Sequence, residues 1–386
     1  MILLYDLITV CRQTGAGEYV RRVFYELLDS SAYDEGRVEV IGLYDSGRGI
    51  AYDDLSLECL HKQGVRTVDI QGRNLAQLCR ELNADHLMIG CAQYWWMYEG
   101  LAEVDCAVTC VVHDLSYQEK WQNHIDEYMK LGKRSLLALC YSLARLRRKK
   151  DARHVMAPVV TLVQRNPKMR IVAVSDYTRW SIAHLYPSLA PLTMVCYSPL
   201  RRLTGMTEAE NPQLREIIAS GEPYLLLLGG DNPLKNMAKA VRAFARYARD
   251  GGRMRLVVTG GGRPLCHQQV SLPFLGEGDL EVAMRHCRAL IYPSCFEGFG
   301  YPPVEALRLG RPVLCSNVCS MPEVMGAAPL YFSPFYETDI YRSLMAFDAA
   351  DYDQLLLRAR QRYEELEPRM EADLMQLLTR LTTPAE

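Results

Sequence analysis

Along most of this chain, short apolar runs alternate with longer segments in which apolar residues recur every three or four positions. Residues 1–5 read as a strand, and Gly15–Leu28 as a helix carrying Val20, Val23, Phe24 and Leu27 on one face. Further strand-like runs, bounded by polar or glycine positions, fall at 38–44, 66–70, 86–90, 106–112, 171–174 and 192–196. A polar stretch at 198–221, punctuated by Pro199, Pro212 and Gly221, reads as the interdomain linker with a short helix inside, and then the rhythm resumes. Strands are expected at 224–228, 254–259, 289–292, 312–315 and 330–332, and helices at 236–248, 280–288, 303–309 and 338–347.

Apolar strand, helix, apolar strand is the signature of a parallel sheet covered on both faces. The expectation is an α/β chain of two doubly wound Rossmann-like domains, since 386 residues favour two domains over one. The boundaries expected are 1–200, a linker at 201–222, 223–365, and a closing helix at 366–386 that packs back on the first domain. Such sheets bind ligands beyond the carboxyl ends of their strands, so two of them facing each other would share a central cleft.

Composition narrows the function. With 44 basic and 46 acidic residues the formal charge is -2, which argues against a general nucleic-acid binder. No apolar run approaches the roughly 20 residues of a membrane span. The first residues enter a strand-like run with no basic n-region and cleavage site, so no signal peptide is expected and the protein is read as cytoplasmic. The 13 cysteines are scattered, many in apolar runs, as buried free thiols in a reducing compartment would be. Cys266-His267 and His286-Cys287 offer soft ligands, but read as a loop thiol and a helical pair; no metal is expected.

The most informative segment runs from Leu290 to Leu307. A strand ends near Pro293, a loop with two glycines follows, and Pro302 and Pro303 suit the first positions of a helix. Backbone N–H groups of Gly300 and Tyr301 at that helix start, with the helix dipole behind them, make an anion site. Glu297 on the loop and Glu305 on the helix flank it, and each carboxylate can accept hydrogen bonds from sugar or ribose hydroxyls. Lys235 follows a strand and the Gly229-Gly230 pair, a reasonable place for a phosphate-binding cation. His113, beside Asp114, ends an apolar strand.

The string Pro293-Ser294-x-x-Glu297-Gly298-Phe299-Gly300-x-Pro302-x-x-Glu305-Ala306 resembles the donor-site signature of family 4 glycosyltransferases. The resemblance extends in order through Thr14-Gly15-Ala16-Gly17, Val112-His113-Asp114, Val174-Ser175-Asp176, Leu234-Lys235-Asn236, Phe274-Leu275-Gly276, Gly310-Arg311-Pro312 and Met321-Pro322-Glu323. It implies the GT-B fold and a retaining, metal-independent transfer of a hexose-type sugar from a nucleotide-diphosphate donor, without a cofactor. The acceptor would be a glycan or a lipid-linked molecule, as in bacterial-type polysaccharide synthesis. By the same resemblance Glu305 holds the donor ribose, Glu297 hydrogen-bonds the sugar, and Phe299, Gly300 and Tyr301 offer backbone N–H groups. Lys235 neutralises the pyrophosphate, Gly15 and Gly17 let the N-terminal loop close on phosphate, His113 sits beside the sugar, and Leu275-Gly276 lies near the nucleobase. Catalysis would fall to His113, Glu297 and Lys235.

Two departures stand out. Many relatives carry an arginine just before the lysine; residues 229–235 contain none, and a guanidinium grips phosphate differently from an ammonium. The stretch between Gly262 and Phe274 is short, as though a helix were missing. A basic segment, residues 130–153, reads as an internal helix with a solvated basic end or as an amphipathic element at the inner face of an anionic membrane. Alternatives to the transferase are a GT-B epimerase or phosphorylase, and a nucleotide-binding pseudoenzyme subunit.

Overall fold

The computed structural model describes residues 1–11, 13–119, 156–229 and 233–384. They divide into two compact units: residues 1–199 with 371–386, and residues 200–370. The basic segment 130–153 lies outside the described residues.

The first unit is built on seven parallel strands: β1 (Ile2–Asp6), β2 (Glu39–Tyr44), β3 (Arg66–Asp69), β4 (His86–Ile89), β5 (Ala107–Val112), β6 (Met169–Ala173) and β7 (Thr193–Val195). Their order is β3-β2-β1-β4-β5-β6-β7, so the winding reverses between β1 and β4. β4 and β5 are buried along their whole length and are apolar except for His86 and Thr109, which meet each other. One core gathers Leu4, Ile41, Leu87, Val108 and Ile171 beneath the sheet. The helix Gly15–Leu28 buries Tyr19, Val20, Val23, Phe24 and Leu27. Each such side chain contributes about 1.5–3 kcal/mol of burial. Tyr5 anchors the helix to β1: its hydroxyl donates to the Val20 carbonyl (2.8 Å) and its ring packs 5.0 Å from Phe24.

The second unit has six parallel strands: β8 (Tyr224–Leu227), β9 (Arg255–Val258), β10 (Gln269–Ser271), β11 (Ala289–Tyr292), β12 (Val313–Ser316) and β13 (Leu330–Phe332). The order β10-β9-β8-β11-β12-β13 reverses between β8 and β11. Leu225, Leu256, Ile291 and Leu314 meet Phe244 and Tyr247 of the helix Met237–Arg249 and Phe347 of the helix Glu337–Ala349.

Three details differ from the sequence reading. The polar stretch after residue 200, expected to be a linker with a short helix inside, belongs to the second unit; its helix is Pro212–Ala219, with Pro212 at its first position and the Asn211 side chain accepting from the Leu214 N–H (3.0 Å). The punctuating proline is therefore a helix start. β10 was not expected, because three residues are too short to show a period. The helix Glu277–His286 begins earlier than expected, with Glu277 and Asp279 complementing the dipole of its first turn. Between β9 and β10 no helix forms, in keeping with the short sequence there.

One buried group makes the first unit sensitive to acid. His86, at the start of β4, has its Nε2 2.9 Å from Thr109 Oγ1 and its Nδ1 buried with no hydrogen-bond partner among the described residues. Burial, and secondarily the charge of Arg380, pull its pKa from 6.5 down to about 4. The unfolded chain takes up a proton below its own pKa of about 6.5 that the folded one refuses. The full stability is thus present above pH 6.5 and declines as the pH falls towards 4, by roughly 3 kcal/mol in all. Urea melts at pH 7 and pH 4.5 should show this loss, and His86→Gln should shrink it; an unchanged pH dependence in that variant would refute the assignment.

Candidate functional site

The site in the second unit lies at the reversal of its sheet, where loops leaving adjacent strands part to opposite faces and open a crevice. β8 and β11 pair there, Ile291 opposite Leu227. Gly229 follows β8; a Cβ there would sit 1.9 Å from the Thr259 carbonyl oxygen, so only glycine lets the chain pass. A single turn, Pro233–Lys235, then leads into the helix Met237–Arg249.

Hydrogen bonds across the crevice fix this turn against the loop after β11. Cys295 N–H donates to the Leu234 carbonyl (2.7 Å), and Ser294 Oγ donates to it as well (3.2 Å). Asn236, with φ +55°, donates from its buried amide to the carbonyls of Pro293 (3.2 Å) and Pro334 (2.8 Å). Asparagine tolerates that left-handed conformation better than most residues, and here its side chain ties three loops together.

This scaffold brings Lys235 Nζ to 2.7 Å from Glu297 Oε1 and 2.9 Å from the Tyr292 hydroxyl. Burial pushes the Glu297 carboxyl up, but Lys235, with hydrogen bonds from Ser294 and Tyr292, outweighs it and holds the group below the usual carboxylate range. The Tyr292 hydroxyl is pushed well above its ordinary value, first by burial, then by Glu297, and also by Glu305. Both glutamates therefore act on one phenol. Lys235, which precedes its helix instead of opening it, is matched by a carboxylate 62 residues away, so the dipole at the helix start does not decide its fate.

The loop enters the helix Tyr301–Arg308 through Gly300, with φ +94°. Met321 fills the side on which a Cβ would stand, its Cε 2.3 Å from that position. Phe299 is buried, its ring edge-on to Tyr301 at 5.9 Å. Glu305, in the same helix, is buried and meets Arg201 in a two-pronged ion pair: Nε to Oε1 at 2.6 Å and Nη2 to Oε2 at 3.1 Å. Glu305 and Glu277 line one cleft. Leu275 is partly buried, and Gly276 next to Glu277 caps the helix Glu277–His286. Phe274 is two-thirds exposed, with its ring over Gly260. No three His, Cys, Asp or Glu side chains gather as metal ligands among the described residues.

The first unit has its own polar cluster where its sheet reverses. Buried Asp6, ending β1, accepts from the N–H groups of Ile8 (2.7 Å), Thr9 (3.2 Å) and Gly90 (2.8 Å) and from the hydroxyls of Thr9 (2.7 Å) and Tyr98 (2.6 Å). The carbonyl of Gly90 lies 2.8 Å from His113 Nε2. A carbonyl can only accept, so that nitrogen carries a proton. Burial lowers the pKa of the ring, the Gly90 carbonyl and Asp114 opposing it less strongly, which makes the neutral form with a bare Nδ1 the stable one. Tyr19 stacks edge-on to His113 at 5.2 Å. Gly15 and Gly17 lie in the first turn of the helix, not in a loop, where Thr14 Oγ1 accepts from Gly17 N–H (3.1 Å); neither has a positive φ.

Structure thus joins Lys235 to Glu297, and sets Glu305 on the following helix. His113, Gly15 and Gly17 lie in the first unit, linked through Tyr19. Sequence reasoning gave no role to Tyr292 or Arg201. Tyr292 had a readable signal, a hydroxyl on the last residue of an apolar strand; Arg201, 104 residues from Glu305, had none.

Residues 211–329 match the family described as glycosyl transferases group 1. The chain is 30% identical over 183 residues to the O-antigen chain mannosyltransferase B of Escherichia coli, covering 42% of this chain and 47% of that protein. It is 38% identical over 94 residues to the serotype-specific mannosyltransferase WbdA of Escherichia coli, covering 24% of this chain and 12% of that protein. The matched stretches span less than half the length of these curated relatives. Among solved structures, Anabaena HepE in complex with UDP and glucose superposes with a TM-score of 0.67 at 13% identity, over 99% of both chains. The chain has the GT-B fold, and its residues 211–329 are similar to the group 1 glycosyl transferases.

Gly300→Ala should lower stability by roughly 1–3 kcal/mol, because alanine is strained at this φ and its methyl meets Met321. Trimming Met321 in the same chain should relieve only the steric part. Denaturant melts that show full recovery in the double variant would contradict this.

Proposed function

We propose that the protein is a retaining glycosyltransferase of the family 4 type, moving a hexose, mannose by analogy with the O-antigen enzymes, from a nucleotide-diphosphate donor to a glycan or lipid-linked acceptor. The observation that carries the reading is the Lys235–Glu297 pair at the reversal of the second sheet, inside the segment that matches the group 1 family. A lysine there can stabilise the charge developing on a departing pyrophosphate, and a carboxylate held ionised can accept hydrogen bonds from sugar hydroxyls. Glu305 takes the ribose, and backbone N–H groups of Phe299, Gly300 and Tyr301 take phosphate and sugar oxygens. His113, neutral, presents Nδ1 as an acceptor to a sugar hydroxyl, while Gly15 and Gly17 leave room for phosphate. Leu275-Gly276 flanks the base.

In the reaction the bond from the anomeric carbon to the phosphate oxygen breaks as the acceptor oxygen attacks the same face. The acceptor proton passes to the leaving phosphate, and no metal takes part. Glu305→Ala should weaken nucleotide binding about tenfold or more, the usual worth of hydrogen bonds to a charged group. Calorimetry with nucleoside diphosphates checks this, and unchanged affinity would remove Glu305 from the site. Transfer should persist in the presence of a chelator, and incubation with nucleotide-sugar alone should yield no isomer, which separates the transferase from an epimerase.

The basic segment 130–153 extends the reading to a peripheral contact with anionic membrane, where lipid-linked acceptors reside. Flotation with anionic vesicles should retain the protein at low salt; absence of binding at every salt concentration would remove the contact.

A further inference from the structure

Residues Arg201–Thr204 form a strap across two helices of the second unit. Arg201 pairs with Glu305 through both of its carboxylate oxygens. Arg308 Nη1 donates to the Arg201 carbonyl (2.8 Å), fixing the backbone from which that side chain extends. Thr204 donates to Glu281 Oε2 from its N–H (2.7 Å) and its hydroxyl (2.8 Å), and Arg285 holds the other oxygen (2.6 Å). The Arg201 and Glu305 side chains are 17% and 6% exposed, so the pair is shielded from water and its geometry is set by packing.

A buried carboxylate needs a charged partner to stay ionised. A planar guanidinium bonded side-on also fixes the plane of the carboxylate, which an ammonium cannot do. A carboxylate offers about four lone-pair sites. The arginine takes one on each oxygen and leaves one on each, spaced for two neighbouring hydroxyls such as a ribose diol.

We propose that Arg201 is a positioning residue of the nucleotide site: it orients Glu305 so that the carboxylate selects a ribose diol over a sugar lacking it. This rests on the reading of Glu305 as the ribose ligand. The experiment is calorimetry with UDP and GDP and with their 2′,3′-dideoxy counterparts, on the wild type, Arg201→Gln and Arg201→Lys.

The wild type should prefer one ribonucleotide over its dideoxy form by about tenfold or more. Arg201→Gln should reduce that preference to within a few-fold, by weakening the ribonucleotide and leaving the dideoxy form unchanged. Arg201→Lys keeps the charge, loses the fork, and should fall between. If the arginine variants weaken both forms equally, Arg201 is merely structural and the proposal is overturned. If Arg201→Gln tightens ribonucleotide binding, the arginine competes with the ribose and the proposal is equally overturned. A wild type that binds neither nucleotide, or binds both forms alike, refutes the underlying reading of Glu305 itself, and is recognised before any variant is made.

Discussion

The second unit depends on one contact: an ammonium and a carboxylate, far apart in sequence, held 2.7 Å from each other at the mouth of a parallel sheet. Neither residue suits its place alone. Glu297 is partly buried, and burial by itself would raise its pKa. Lys235 precedes a helix, where the positive end of the dipole opposes it. Together they are compatible, and the surrounding backbone makes them meet. The Asn236 amide, the Leu234 carbonyl and Ser294 lock the two loops before either charge is considered. That is preorganisation: the geometry is paid for in folding, so that charge arriving in the crevice meets fixed groups.

The first unit solves a related problem without a cation. Asp6 is more deeply buried than Glu297, and five donors surround it. Two of those donors are backbone N–H groups of the turn that follows β1, and a third, Gly90, belongs to the chain leaving β4. The carboxylate therefore clamps the two strands at the reversal of the sheet, and through the Gly90 carbonyl it reaches the His113 ring. The Gly90 carbonyl sets the tautomer of that ring, and burial favours its neutral form.

Much of this was legible in the sequence because it is written in local patterns. Apolar runs gave the buried strands, and the 3.6-residue period gave the helix Gly15–Leu28. The tandem Pro302-Pro303 marked a helix start, and the Glu297–Glu305 string spans the loop and helix that follow β11. What escaped lacks local signature. Gln269–Ser271 is a strand only because β9 lies beside it. The stretch after residue 200 looks like a linker by composition, yet Arg201 and Thr204 belong to the second unit through contacts with helices at 277–286 and 301–308. For Gly15 and Gly17 the two readings differed: the resemblance implied a closing loop, whereas the helical period from Gly15 agrees with the threonine-capped first turn observed.

The sequence lacks an arginine beside Lys235, and the geometry shows what that omission leaves. An ammonium has three protons to donate. Among the described residues, Glu297 and Tyr292 accept from Lys235, so one proton stays available to an incoming oxygen. A single lysine donor cannot serve both phosphates of a diphosphate. On the proposed function, the rest would come from backbone N–H groups at the start of the helix Tyr301–Arg308, where the left-handed turn at Gly300 sets their direction. The guanidinium this region does hold, that of Arg201, is already engaged with Glu305. Charge in this unit is thus divided: the ammonium meets Glu297 and Tyr292 at the reversal of the sheet, and the guanidinium meets Glu305 on the helix Tyr301–Arg308.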